Sequence, residues 1–135
     1  MGDLTVGRAL CVLFFVTAGI IHFVNPDFYL AMMPPWVSAH LTMVYLSGGA
    51  EIAGGIGLLL PRFRRAAGWG LVLLLVAIFP ANIQMLLNAQ HGGATLAKQL
   101  PLWLRLPLQP LMIWWVWRVS HVGRDRATPR PRPVT

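Results

Sequence analysis

Five polar side chains interrupt long apolar stretches of this sequence. They are an imidazole, a carboxyl group, a guanidinium and two carboxamides, supplied by His22, Glu51, Asn82, Arg105 and Gln109. All five can form hydrogen bonds, and the imidazole and the carboxyl group can also carry protons. Ionisable groups inside apolar segments cost free energy, so they are functional candidates by default. We predict hydrogen bonding or proton exchange with a ligand, and we assign no catalytic residue.

Glu51 is the most costly of these residues because it lies in the middle of an apolar run, roughly 15 Å from the end of a helix. A central acidic residue costs about 2.5 to 3.5 kcal/mol in a membrane, so Glu51 must be neutral, paired or facing a wet cavity. Arg105 and Gln109 are four residues apart and share a helical face. Arg105 is the expected partner of Glu51, or it extends to the membrane surface instead.

The other polar groups have structural alternatives. His22 can be a hydrogen-bonded structural group, and Asn82 can join neighbouring helices, at about 0.6 kcal/mol for such a bond. Pro80 should kink its helix and free a carbonyl about four residues earlier, which Asn82 or another helix can satisfy. No pair of deep histidines indicates haem. With Cys11 as the single cysteine, the sequence indicates no metal site and no dithiol chemistry.

Small residues at a spacing of four predict a close-packing face on the second apolar run. Gly49, Ala53 and Gly57 form this series. Small residues let two helix backbones approach each other, and the same missing side chains can open a slot for a flat ligand. We therefore expect this helix at the centre of the bundle.

The composition indicates a membrane protein. Of the 135 residues, 56% are hydrophobic and 11% are charged, and the mean hydropathy is +0.62, far from the quarter charged share of soluble domains. We predict an all-α transmembrane four-helix bundle in one domain, residues 1–122, with spans at about 6–24, 41–60, 66–87 and 101–119. A cleaved signal peptide is the alternative for the first span, but that span is long for one and lacks a cleavage site.

Basic residues set the predicted orientation. They concentrate at the two termini and in the loop at 62–65, so the positive-inside rule places both termini in the cytoplasm and the protein in the inner (plasma) membrane. The net charge of +7 therefore reflects topology, and we predict no nucleic-acid partner. Residues 123–135, rich in Arg and Pro, should form a disordered cytoplasmic tail.

Aromatic residues mark both predicted membrane surfaces. Trp114, Trp115 and Trp117 should form a belt at the cytoplasmic side, with Trp36 and Trp103 at the outer side. The apolar loop at 26–39 should begin with a short amphipathic turn and cap the outer mouth of the bundle. A plain interfacial anchor is the favoured interpretation of this loop, and a lid over a ligand is the alternative.

The motifs together resemble those of the DoxX family of small four-helix membrane proteins, from about Leu10 to Arg118. The motifs are Gly19-x-x-His22-Phe23 with Pro26, Pro34-Pro35, Ser47-Gly48-Gly49-x-Glu51-x-x-Gly54-Gly55-x-Gly57, Pro80-x-Asn82 and Arg105-x-Pro107-x-Gln109. The resemblance implies a membrane subunit of a redox system, with a soluble or membrane oxidoreductase partner that carries the chemistry.

We therefore expect a redox-associated membrane protein, not catalytic alone, with a polar pocket in the outer half of the bilayer for a quinone or another lipophilic molecule. Two alternatives stay open. One is a small proton-coupled transporter, for which a homo-oligomer would be needed, and the other is a non-catalytic scaffold for a partner.

Overall fold

The computed structural model describes residues 2–122, with side chains from residue 4 onward, and these residues are all-helical without a strand. The helices are α1 (Gly2–Val24), α2 (Pro26–Leu30), α3 (His40–Leu59), α4 (Arg64–His91) and α5 (Leu96–His121). Each of the four predicted spans lies in one long helix, and none extends beyond its helix by more than one residue. The predicted disordered tail at 123–135 lies outside the described residues.

Three helices are long and apolar enough to cross a membrane among the described residues: Leu4–Val24, His40–Leu59 and Arg64–His91. Helix α5 has 26 residues, which is long enough, but its composition keeps it out of this group. Lys98, Arg105 and three prolines lower its hydropathy. The structure therefore shows three membrane-length apolar helices, one fewer than the predicted number of spans.

The four long helices form a closed ring. Helix α1 packs on α3, α3 on α4, α4 on α5, and α5 returns to α1, while the short α2 lies against α1 and α3. Helices α3 and α5 are therefore diagonally opposite each other. This order decides which of the polar side chains can meet.

The outward faces of the bundle are apolar. Leu13, Leu73 and Leu104 are each more than 60% exposed, although they lie in the middle of long helices. The core, by contrast, contains small and medium side chains such as Cys11, Leu58 and Val116, which are fully buried. Soluble proteins rarely expose apolar area on this scale, and lipid is the solvent that suits it.

Within the described chain, the predicted close-packing face meets a neighbouring helix closely at one of its three positions. No atom lies within 4 Å of the place where a Cβ would stand on Gly49, and Ala53 is exposed. Gly57 does pack closely, against the side chain of Ala67 on α4. A spacing of four identifies a face of a helix, but it does not say which neighbour that face meets.

The closest helix contact lies between α1 and α3, at Gly19 and Gly48. A Cβ on Gly19 would stand 2.6 Å from the carbonyl oxygen of Gly48, and a Cβ on Gly48 would stand 2.6 Å from the Cβ of His22. Such distances leave no room for any side chain. The two glycines therefore allow α1 and α3 to approach closely enough for His22 to reach α3.

Candidate functional site

A cavity of about 600 Å³ lies inside the ring of long helices, at the end that α2 covers. Its walls are mostly aromatic and aliphatic side chains. The structure brings all five of the polar residues singled out in the sequence to this one cavity: His22, Glu51, Asn82, Arg105 and Gln109. Their placement follows from the helix order, since each long helix contributes at least one of them.

The first polar wall is formed by His22 of α1 and Glu51 of α3. The His22 Nδ1 atom lies 2.8 Å from the carbonyl oxygen of Ala18 and 3.5 Å from Glu51 Oε2. Because a carbonyl only accepts hydrogen bonds, we assign the hydrogen to Nδ1, which donates to Ala18. Glu51 lies too far away for a second short hydrogen bond but close enough for an ion pair when His22 is protonated.

The Glu51 carboxyl group keeps an unsatisfied atom. Its side chain is buried, with 6% of the residue exposed, and Oε2 has no hydrogen-bond partner among the described residues. A buried polar atom without a partner costs about 1 to 3 kcal/mol. Glu51 lines the cavity, as expected, but the described residues leave its Oε2 atom without a donor. A ligand that donates a hydrogen bond to this carboxyl group would satisfy it.

The second polar wall is formed by the carboxamides of Asn82 on α4 and Gln109 on α5. Asn82 Nδ2 donates to Gln109 Oε1 over 2.6 Å, and Gln109 Nε2 donates to the carbonyl oxygen of Leu75. Leu75 precedes Pro80 by five residues, next to the carbonyl that the proline leaves without an amide partner. A neighbouring helix thus supplies a donor one residue before the carbonyl of Val76, which is the carbonyl that Pro80 frees, so a partner for that carbonyl stays a prediction.

The predicted ion pair between Glu51 and Arg105 is wrong. Arg105 Nη1 donates to the Met32 sulfur over 3.5 Å, and the guanidinium lies 5.8 Å from the centre of the Phe28 ring. Glu51 and Arg105 belong to the diagonal helices α3 and α5, and residues of the α2 region occupy the space near the guanidinium. Arg105 is therefore not the counterion of Glu51.

Residues 26–39, here called the α2 segment, line one end of the cavity. The Tyr29 ring stacks on the His22 ring with centroids 3.6 Å apart, and Met32 is buried. His40 Nε2 donates to the carbonyl oxygen of Pro34 over 3.1 Å, which ties the segment to the start of α3. The short helical turn was predicted, and its side chains line the cavity, as a lid requires. Trp36 is 71% exposed, so the same segment also presents an interfacial aromatic side chain.

Tyr29 lies within electrostatic reach of two charged side chains. Burial raises the pKa of the Tyr29 phenol, the negative charge of Glu51 raises the pKa further, and the positive charge of Arg105 opposes both effects. The phenol is therefore neutral at physiological pH and can donate or accept a hydrogen bond. The carboxyl group and the guanidinium thus act on one lid side chain without contacting each other.

A family model described as a domain of unknown function, DUF8561, matches residues 10–120. The chain belongs to this family. The matched region contains every polar residue of the cavity, together with the glycines between α1 and α3. No curated protein and no solved structure matches the chain. Nothing in these comparisons links the chain to the DoxX family, so that resemblance stays a prediction.

Sequence reasoning missed several side chains that line the cavity, including Met112 and Trp115 of α5. Trp115 had been predicted in the aromatic belt, but it is half-buried and lines the cavity, whereas Trp114 and Trp117 are exposed. The sequence does contain a pattern that predicts this placement. Counted from Arg105, positions 105, 109, 112 and 115 recur at helical spacing, which places them on one face.

The arrangement of polar groups limits the chemistry. The α1–α3 wall and the α4–α5 wall are opposite sides of the ring, and they carry a carboxyl–imidazole pair and a carboxamide pair. A metal ion would need several oxygen, nitrogen or sulfur ligands together, and no group of three His, Cys, Asp or Glu residues occurs in the described part of the chain. Hydrogen bonding to an organic molecule is the chemistry these groups support.

Proposed function

We propose that this protein is a multi-pass membrane protein that binds a lipophilic molecule carrying oxygen atoms, of the quinone class, in the cavity between its helices. It would serve as the membrane subunit of a redox system whose partner performs the chemistry. The observation that carries the proposal is the buried Glu51 carboxyl group in the wall of an apolar cavity, whose Oε2 atom has no hydrogen-bond partner among the described residues.

The size and polarity of the cavity support this ligand class. About 600 Å³ is within the range of roughly 300 to 1,000 Å³ that is typical of small-molecule sites. A flat ring with oxygen atoms at opposite edges would hydrogen-bond to the two polar walls, and the aromatic side chains of Phe15 and Trp115 also line the cavity. His22 and Glu51 would accept or return protons at one oxygen, and Asn82 would donate a hydrogen bond to the other.

We further propose that α5 is the fourth span. The protein would lie in the plasma membrane, with both termini in the cytoplasm. The support comes from the distribution of polar groups on α5. Arg105 and Gln109 face the cavity, whereas Trp103, Leu104 and Leu111 are about half exposed or more on the outside. Hydropathy averaged over the whole helix hides this apolar outer face.

Cysteine labelling tests this topology. In a Cys11→Ser background, Ala94→Cys in the loop between α4 and α5 should react with a membrane-impermeant maleimide in intact cells. Phe63→Cys and Val122→Cys should react only after permeabilisation, because Arg-rich ends stay inside. If Val122→Cys reacts from outside together with Ala94→Cys, α5 does not cross and the bundle has three spans.

Ligand content tests the binding function. The full chain, purified in a mild detergent, should carry extractable quinone, and added ubiquinone or menaquinone should bind with one site per chain. Saturable binding measured by quenching of tryptophan fluorescence would support the proposal, because Trp115 lines the cavity. Protein that is free of quinone and also fails to bind either added quinone would overturn it.

A further inference from the structure

Two arginines are held in place at the end of the bundle that is opposite α2. Arg8 of α1 donates from Nε to the carbonyl oxygen of Val119 over 3.2 Å. Arg64, the first residue of α4, donates from Nε to the carbonyl oxygen of Leu58 over 3.1 Å. Both carbonyls belong to the last turn of a helix, where no backbone N–H group of the same helix is left to donate to them. Each guanidinium is thus fixed along one edge.

Neither arginine has an acidic partner among the residues with described side chains. The carboxylates in that part of the chain are those of Asp27 in α2 and Glu51 at the cavity, and neither forms an ion pair with an arginine. Arg8 and Arg64 are both half-buried, and they are close enough for their positive charges to repel each other. Two partly desolvated like charges are unfavourable unless an anion lies between or beside them.

The surroundings indicate what kind of anion is available. Arg62, Arg65 and Arg118 are exposed at the same end, and the Arg118 guanidinium lies 5.3 Å from the centre of the exposed Trp114 ring. A mixture of arginine and tryptophan is typical of the level of lipid headgroups. The planar edge of a guanidinium matches two oxygen atoms of a phosphate, so two such groups can hold one phosphate from two sides.

We propose that Arg8 and Arg64 form a binding site for a single phosphate group, distinct from the cavity and independent of its ligand. The phosphate of an anionic phospholipid is one source, and free phosphate is the other. Lipid bound here would join the start of α1 to the start of α4, two helices that are diagonal in the ring.

Lipid retention tests this site. The full chain is placed in nanodiscs of phosphatidylcholine with a minor fraction of phosphatidylglycerol, and the phosphatidylglycerol that stays with the protein after detergent extraction is counted by mass spectrometry. The Arg8→Gln, Arg64→Gln double variant should retain roughly twenty-fivefold less, because each of the two basic groups near an anionic lipid contributes about fivefold.

The control removes the same charge from the same end. The Arg62→Gln, Arg65→Gln double variant, with both changes at exposed side chains, should lose no more than about fivefold, because salt screens exposed charges and these side chains are not fixed around a phosphate. An Arg8→Lys, Arg64→Lys variant keeps the charge but not the planar edge, and it should show an intermediate loss while preserving the fold. Equal losses in the two Gln double variants would overturn the site, since only surface charge would then matter.

A second measurement separates the two phosphate sources. In lipid-free detergent, inorganic phosphate that raises the melting temperature of the wild type, but not of the Arg8→Lys, Arg64→Lys variant, assigns free phosphate. Retention of phosphatidylglycerol without any effect of inorganic phosphate assigns the lipid headgroup. If neither retention nor melting depends on Arg8 and Arg64, the proposal is wrong.

Discussion

Replacing Glu51 with glutamine will weaken quinone binding by roughly tenfold to a hundredfold, because a hydrogen bond to a charged group contributes about 1.5 to 3 kcal/mol. The glutamine side chain has nearly the same shape, so the cavity is kept while the carboxyl group is lost. The melting temperature should stay equal or rise, since the cost of burying a carboxylate charge is removed while the amide keeps the same shape. Titration of purified protein with quinone, alongside a thermal melt, measures both quantities.

The matched control is Asp27→Asn, which removes a carboxylate from an exposed position outside the cavity. This variant should bind quinone like the wild type. Unchanged binding in Glu51→Gln would contradict the proposed function and favour a scaffold whose polar groups only join helices. Normal binding combined with Glu51-dependent proton flux in proteoliposomes would favour the transporter alternative.

Replacing Gly48 with alanine should reduce the free energy of unfolding by about 2 kcal/mol, within the range of roughly 1 to 3 kcal/mol for overpacked cores. The new methyl group would stand 2.6 Å from the Cβ of His22 and 2.9 Å from the carbonyl oxygen of Gly19, so α1 and α3 must separate. Quinone binding should weaken as well, because the separation moves His22 away from Glu51.

The neighbouring residue provides the control for this change. Gly49→Ala adds the same methyl group where no atom lies within 4 Å, so stability should stay the same or rise slightly through the higher helix propensity of alanine. Unfolding of both variants in detergent with increasing denaturant gives the comparison. If both variants lose the same free energy of unfolding, the loss comes from helix propensity or membrane insertion and not from the close packing of α1 on α3.

The sequence predicted the positions of the four long helices because long apolar runs and their breaks are local signals. The polar residues that face the cavity were also predictable, since a charged or amide group in an apolar run must avoid lipid. The depth of each group along its helix followed from counting residues. Depth explains why the five polar residues were expected together in the outer half of the bilayer, namely His22, Glu51, Asn82, Arg105 and Gln109.

The order of the helices around the ring was not predictable in the same way. Depth alone paired Glu51 with Arg105, although their helices are diagonal and His22 is the ionisable neighbour of Glu51. The choice of Gly49 for close packing failed for a related reason, because Gly48 is one residue away and faces α1. Helix neighbours depend on contacts between distant parts of the chain, which periodicity within one helix does not encode.

The attachment of the α2 segment is asymmetric. On one side, the chain joins it covalently to α1 and to α3, and Tyr29 stacks on His22. On the side of α5, Arg105 contacts the sulfur of Met32 and the ring of Phe28. We expect a segment that is fixed at one margin and weakly held at the other to open at the weakly held margin. The residence time of a bound molecule would then depend on how often the contacts of Arg105 open, while its affinity depends on the cavity behind them.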